Sequence, residues 1–167
     1  MPALLPRLAA PLLAVPLLLA ACAPRQAIVQ VPTFQTESVR LQSLTLPGGG
    51  SPATATLSLM LRVQNPNPYP VRLARAGGHF FLEGQNVGAV ELPNIDLPAN
   101  GEARQQALLS LPITLANLGQ FVRVGRGEAV SYRIDGNFTV DAGLFGKPNF
   151  GPYTLSQGVL RQPRILP

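Results

Sequence analysis

The reactive inventory of the chain is short: one cysteine, one histidine and eight carboxylates among 167 residues. A lone imidazole, His79, cannot assemble a multi-histidine metal site, and no carboxylate pair stands near it to form a proton relay. Asp135 and Asp141 sit on a strand-like run and at its end with no general-base partner, so they read as surface charges. Ser110, Ser131 and Ser156 lack the Gly-x-Ser-x-Gly elbow that presents a nucleophilic hydroxyl. Three glycines at 48–50 suggest a phosphate cradle, but neither Gly-Lys-Ser/Thr nor a helical pattern follows them. Asn137-Phe138-Thr139 is formally a glycosylation acceptor and reads as ordinary strand sequence. No residue is assigned a catalytic role, and neither a metal nor a cofactor is expected.

The one thiol occupies a telling position. Met1 to Ala21 carries an early cation, Arg7, then an apolar stretch from Leu8 to Leu19, then the small residues Ala20 and Ala21: the layout of a secretory signal. The apolar stretch is about half the ~20 residues that span a bilayer, and Pro11 and Pro16 interrupt it, so a transmembrane anchor is the weaker reading. Leu19-Ala20-Ala21-Cys22 resembles the lipobox of bacterial lipoproteins. That resemblance implies a diacylglycerol on Cys22, cleavage just before it and acylation of the new N-terminus. The other reading is an ordinary signal peptide with an incidental cysteine. At ~0.8 kcal/mol per buried CH₂, several acyl chains would hold the protein on a membrane essentially permanently. A lipidated Cys22 would also leave no free thiol for a disulfide, a nucleophile or a metal ligand. The expected location is that of an exported bacterial membrane lipoprotein facing the periplasm or the cell exterior. Ala23 in place of Asp after the cysteine points to the outer membrane if the cell is Gram-negative.

Downstream, Asn65-Pro66-Asn67-Pro68-Tyr69-Pro70 follows a strand-like run directly. Proline has no N–H to give a ladder and pushes the residue before it out of the α region, so Asn65, Asn67 and Tyr69 are extended. Asparagine side chains supply the donors and acceptors that the prolines withhold. The block reads as a rigid strand exit with a structural role.

Composition fits this picture. Hydrophobic residues make up 46% and charged residues 13%, with 16 glycines and 18 prolines, which suits short strands and many turns in one domain. Net charge is +5, but the basic residues are scattered singly and the chain has only seven Phe and three Tyr, against nucleic-acid binding.

After the signal-like segment 1–21, residues 22–36 read as the lipidated cysteine and a tether with Pro24 and Pro32. Fourteen tether residues at ~3.3 Å each reach at most about 45 Å. Residues 37–161 form the folded domain and 162–167 a tail. Val39 and Leu41 alternate with polar residues, then the phase shifts to Leu44 and Leu46, suggesting a bulge near Ser43. The clearest strand places Ala55, Leu57, Leu59, Leu61 and Val63 on one face. Val71–Leu73 and His79–Leu82 are expected as short strands around Gly77-Gly78, and Gln85–Leu92 as another. Pro98-Ala99-Asn100-Gly101 is a turn, and Ala107, Leu109 and Leu111 share a face of the strand after it. Leu115, Leu118, Phe121 and Val122 fall at helical spacing, closed by Gly125 and Gly127. Val130, Tyr132, Ile134, Phe138 and Val140 alternate in a second strong strand, with Gly136 at an inward position where another backbone can approach. Tyr153–Leu160 is the last strand. About seven strands and one short helix predict an all-β, antiparallel β-sandwich; lacking paired cysteines and a core tryptophan, its Ig-like label rests on pattern alone.

The strand Leu57–Val63 running into the Asn–Pro block resembles the WHy domain of the type-2 late-embryogenesis-abundant family. So do Gly84 to Gly88, the Leu97-Pro98-Ala99-Asn100-Gly101 turn, the helix-like segment after Pro112, Tyr132-Arg133-Ile134-Asp135-Gly136, Leu144-Phe145-Gly146 and Gln157-Gly158. The resemblance covers about 38–161, and its characteristic Asn and Pro positions match Asn65, Pro66, Asn67 and Pro68. It implies a fibronectin-III-like sandwich with a short helix, no catalytic residues, and a role in desiccation, osmotic or cold stress that protects other proteins. The implied partners are a membrane, through the lipid, and partly unfolded client proteins. The competing reading is an envelope structural or interaction module that binds one specific protein or lipid.

Overall fold

The computed structural model describes residues 28–166; the signal-like segment and Cys22 lie outside them. Eight strands and one helix follow in the order β1 (Thr33–Thr45), β2 (Thr54–Gln64), β3 (Val71–Leu82), β4 (Gln85–Leu92), β5 (Ile95–Leu97), β6 (Glu102–Pro112), α1 (Leu118–Gly125), β7 (Val130–Asp141) and β8 (Asn149–Leu160). All strand pairings are antiparallel, in a three-stranded sheet β1-β2-β6 and a larger sheet β4-β3-β7-β8 to which β5 adds along the start of β3.

Period-two patterning makes the two layers. On β2, the centre of the smaller sheet, Ala55, Leu57, Leu59, Leu61 and Val63 are each no more than 1% exposed. Leu109 and Leu111 of β6 are buried beside them, and Phe80, Ile134, Phe138 and Val140 face them from the larger sheet. The opposite face of β2 is wet. There Glu37 of β1 bridges Arg62 and Arg104, at 2.6 and 2.9 Å, across all three strands. The Arg62 hydrogen bond, helped by Arg104, holds the Glu37 carboxyl below the usual carboxylate range. An exposed network of this kind fixes register more than it stabilises.

Several elements differ from expectation. β3 is one strand of 12 residues rather than two pieces around the glycines, with a register shift between Ala74 and Gly77. The shift brings Gly78 opposite Gly136 of β7, where the backbones are so close that a Cβ on Gly78 would lie 2.0 Å from the Asp135 carbonyl oxygen. Gly77-Gly78 therefore marks a close strand contact, not a strand break. The anticipated irregularity near Ser43 is present, between Leu41 and Ser43, but β1 ends at Thr45 and leaves Leu46 in solvent.

The helix also corrects the sequence reading. Leu115 and Leu118 are exposed, and the buried face is Phe121 and Val124. The cause is Asn117, whose Oδ1 accepts from the Thr114 N–H (2.7 Å) and whose Nδ2 donates to the Pro112 carbonyl (3.0 Å). Those bonds hold 113–117 as a turn, so the helix starts at Leu118. At the other margin, residues read as a tail are docked. Gln162 accepts from the Leu41 N–H (2.7 Å), and the Ile165 and Leu166 N–H groups both donate to the Gly125 carbonyl.

Candidate functional site

The sandwich has two ends. The helix end gathers the β1–β2 turn, α1 and residues 162–166. The other end gathers the exit of β2, the turn at 98–101, the β7–β8 connection and the chain just ahead of β1. The Asn–Pro block organises this second end.

Asn65 leaves β2 with its N–H on the Gly101 carbonyl at 2.8 Å. Its Nδ2 donates to the Tyr69 and Pro98 carbonyls, both at 2.9 Å, so one amide ties the block to the neighbouring turn. Its Oδ1 accepts from the Asn67 N–H (3.0 Å) and from Asn67 Nδ2 (2.8 Å). Asn67 also reaches out of the block. Its Oδ1 accepts from the Gln30 N–H at 2.7 Å and its Nδ2 donates to the Gln30 carbonyl at 3.0 Å. The side-chain amide thus copies the two-point pairing of a strand neighbour. Its own carbonyl receives the Asn100 N–H at 2.8 Å. Both asparagines are fully buried, and every polar atom of both side chains has a partner. Pro66 is half-buried and Pro68 exposed, so in this pair of X-Pro steps the prolines stiffen and the asparagines bond.

Periodicity gives no sign of this clasp on Gln30. The segment 22–36 reads as a tether, yet the chain is held from Ile28 onward: Tyr69 donates its hydroxyl to the Ile28 carbonyl, Val29 enters the core and β1 begins at Thr33. A legible signal was the need of a buried Asn67 for a long-range partner. The sequence shows the turn 143–146 between β7 and β8 only as the family feature Leu144-Phe145-Gly146, not as part of this end. Phe145 stacks on Tyr69 with ring centroids 4.4 Å apart, and Leu144 beside it is fully exposed. Glycines on both sides of an apolar pair were the available cue. At the base of this turn, Lys147 at 2.7 Å and the Gly143 N–H hold the Asp141 carboxyl below its usual range.

The remaining candidates do not converge. His79 is an exposed residue of β3 whose ring meets only Asn86, at 3.3 Å. Asp135 pairs with Arg133 (2.7 Å) and accepts from Thr154 (2.8 Å). Ser156 is buried between the sheets in a hydroxyl chain with Thr36 and Tyr132, with no acid or base beside it. Among the described residues no group of three or more His, Cys, Asp or Glu side chains is placed to hold a metal ion. Nor is any helix among them long and apolar enough to cross a membrane.

A two-sheet antiparallel sandwich, pinned at one end by a buried Asn–Pro clasp, is a compact all-β module. Residues 60–152, more than half of the chain, match the family model of late embryogenesis abundant proteins, LEA_2, and the chain belongs to that family. No curated protein matches the sequence. Among solved structures, the solution structure of a late embryogenesis abundant (LEA) protein is similar over 85% of this chain and 77% of that one, with TM-score 0.52 and 16% identity. A protein from Arabidopsis thaliana is similar over 78% of this chain and 85% of its own, with TM-score 0.46 and 15% identity. A protein from Archaeoglobus fulgidus is similar over 77% of this chain and 98% of its own, with TM-score 0.42 and 14% identity.

Proposed function

We propose that this protein is a membrane-anchored, non-enzymatic stress-protective member of the family, of the WHy type, which limits inactivation or aggregation of partly unfolded proteins. Lipid on Cys22 would hold it on a bacterial membrane, facing the periplasm or the exterior. Family membership over 60–152 carries the stress-related part of this reading. The client-binding part draws support from the sheet edges. β6 and β8 are edge strands of their sheets, and each presents an apolar side chain to solvent, Leu108 at 65% and Val159 at 62% exposure. Unpaired edge backbone with an apolar side chain beside it can receive a client strand by β-augmentation.

Chain lacking residues 1–22 is expected to preserve a labile enzyme through freeze–thaw better than an equal mass of albumin. Equal performance by albumin at several ratios would sink the protective reading. A single dominant cross-linked partner, in place of many, would instead identify an envelope interaction module. For the anchor, cells fed labelled palmitate should label the full chain, and Cys22→Ser should abolish the label. Unchanged labelling of that variant would remove the anchor.

A further inference from the structure

We infer that the end of the sandwich carrying the Asn–Pro clasp is a lipid-contacting tip, on which Leu144, Phe145 and Ile28 seat in the membrane interface and set the orientation of the domain. The inference rests on the lipid-anchor reading for what brings the domain to the bilayer; the tip itself is a separate observation.

Three features of the molecule converge there. The first is apolar exposure: Leu144 is fully exposed, Phe145 is 52% exposed and Ile28 is 71% exposed. They are adjacent in space, because Phe145 stacks on Tyr69 and Tyr69 holds the Ile28 carbonyl. The second is charge. Among the described residues the ionised groups bordering the turn are paired, Lys147 with Asp141 at 2.7 Å and Arg72 with Asp96 at 3.7 Å. The tip is therefore an apolar surface with a neutralised rim, suited to an uncharged lipid interface more than to an anionic partner.

The third is reach. Cys22 lies six residues before Ile28, a distance that an extended chain covers in at most about 20 Å. The 11 residues of β2 alone run about 35 Å from one end of the sandwich to the other. A chain attached at residue 22 and clasped at Gln30 therefore cannot bring the helix end to the surface without laying the sandwich flat. The clasp end reaches it directly. Tyr69 lies beneath them, its ring stacked under Phe145 and its hydroxyl on the Ile28 carbonyl, and so holds the exposed residues in place. A weak apolar contact of this kind gains from the lipid beside it, since stable membrane seating takes two signals.

The chain contains no tryptophan, so one introduced residue reports its own surroundings. Full chain carrying Phe145→Trp is reconstituted with phosphatidylcholine vesicles containing doxyl-labelled lipid. A second reporter is Leu115→Trp, at an exposed position of the helix end. The expected result is a blue shift and quenching of emission at 145, and neither at 115. Adding Leu144→Asp, at a side chain that packs on nothing, should abolish the shift at 145 while the melting temperature stays unchanged. Equal responses at 145 and 115, or none at 145, would overturn the inference. Palmitate labelling is measured on the same samples. Quenching at 145 without label removes the anchor and leaves the tip; label without quenching at 145 removes the tip and leaves the anchor.

Discussion

Gly136→Ala is expected to destabilise the domain by about 3 kcal/mol or more, a large loss for a single methyl group. A Cβ at this position would lie 2.2 Å from the Gly77 carbonyl oxygen and 2.9 Å from the Gly78 Cα. Both obstacles are backbone of the paired strand, so no rotamer change relieves the clash; β3 and β7 would have to part in the middle of the larger sheet. Gly78→Ala should cost as much, because its Cβ would meet the Asp135 carbonyl oxygen and the Gly136 Cα. Gly119 provides the internal control. It lies in α1 with nothing within 4 Å of a new Cβ, and alanine there should stabilise by up to about 1 kcal/mol through helix propensity. Urea denaturation of the three variants measures all of this. A Gly136→Ala protein within about 1 kcal/mol of the parent would show that the two strands are not in contact at that point.

Asn67→Ala is the second substitution with a large expected effect, about 2–3 kcal/mol. It removes the paired hydrogen bonds to Gln30 and the donor to Asn65 Oδ1, at a side chain with no exposure. For a domain of this size the melting temperature should fall by roughly 5–10 °C. Asn67→Asp separates bonding from packing, since it keeps the shape. It turns the two Nδ2 donations into contacts between oxygens and places a carboxylate where water does not reach. Burial raises the folded-state pKa of that carboxyl above its unfolded value. Between the two values the folded state binds more protons, so stability rises as pH falls through the folded pKa towards the unfolded one. The aspartate variant should therefore be weaker than the alanine variant at pH 7 and recover on acidification. Melts at neutral and mildly acid pH test it; a flat difference between variant and parent would place residue 67 in contact with solvent.

These two positions also show what could be read in the sequence. Gly136 interrupted a run of inward apolar residues, and a glycine at an inward strand position has few uses other than close approach of another backbone. Its partner was harder to see. Gly77-Gly78 looked like a break because two glycines ordinarily weaken a strand, and only the register opposite Gly136 explains them. The strands of β2, β6 and β7 were legible because each alternates cleanly between a wet and a dry face. α1 was half legible: helical spacing was real from Phe121, but Leu115 and Leu118 shared it by accident, Leu115 lying in the turn that Asn117 holds ahead of the helix and Leu118 on its exposed face. β5, three residues between prolines, carries too little pattern to be seen.

The Asn–Pro block was legible as a stiff exit and illegible as a clasp. Its local bonds follow from residues two to four apart. The bond to Gln30 spans 37 positions and no periodicity encodes it.

That bond has a mechanical consequence. Tension on the chain ahead of Ile28 would reach Asn67 before it reached Thr33 against Gln64, the first rung between β1 and β2. β1 is an edge strand, the element most easily unzipped from a free end. With the pull taken up first by a buried amide braced against two prolines and a neighbouring turn, the clasp works as strain relief on a cable. The sheet behind it stays unloaded until that grip is broken.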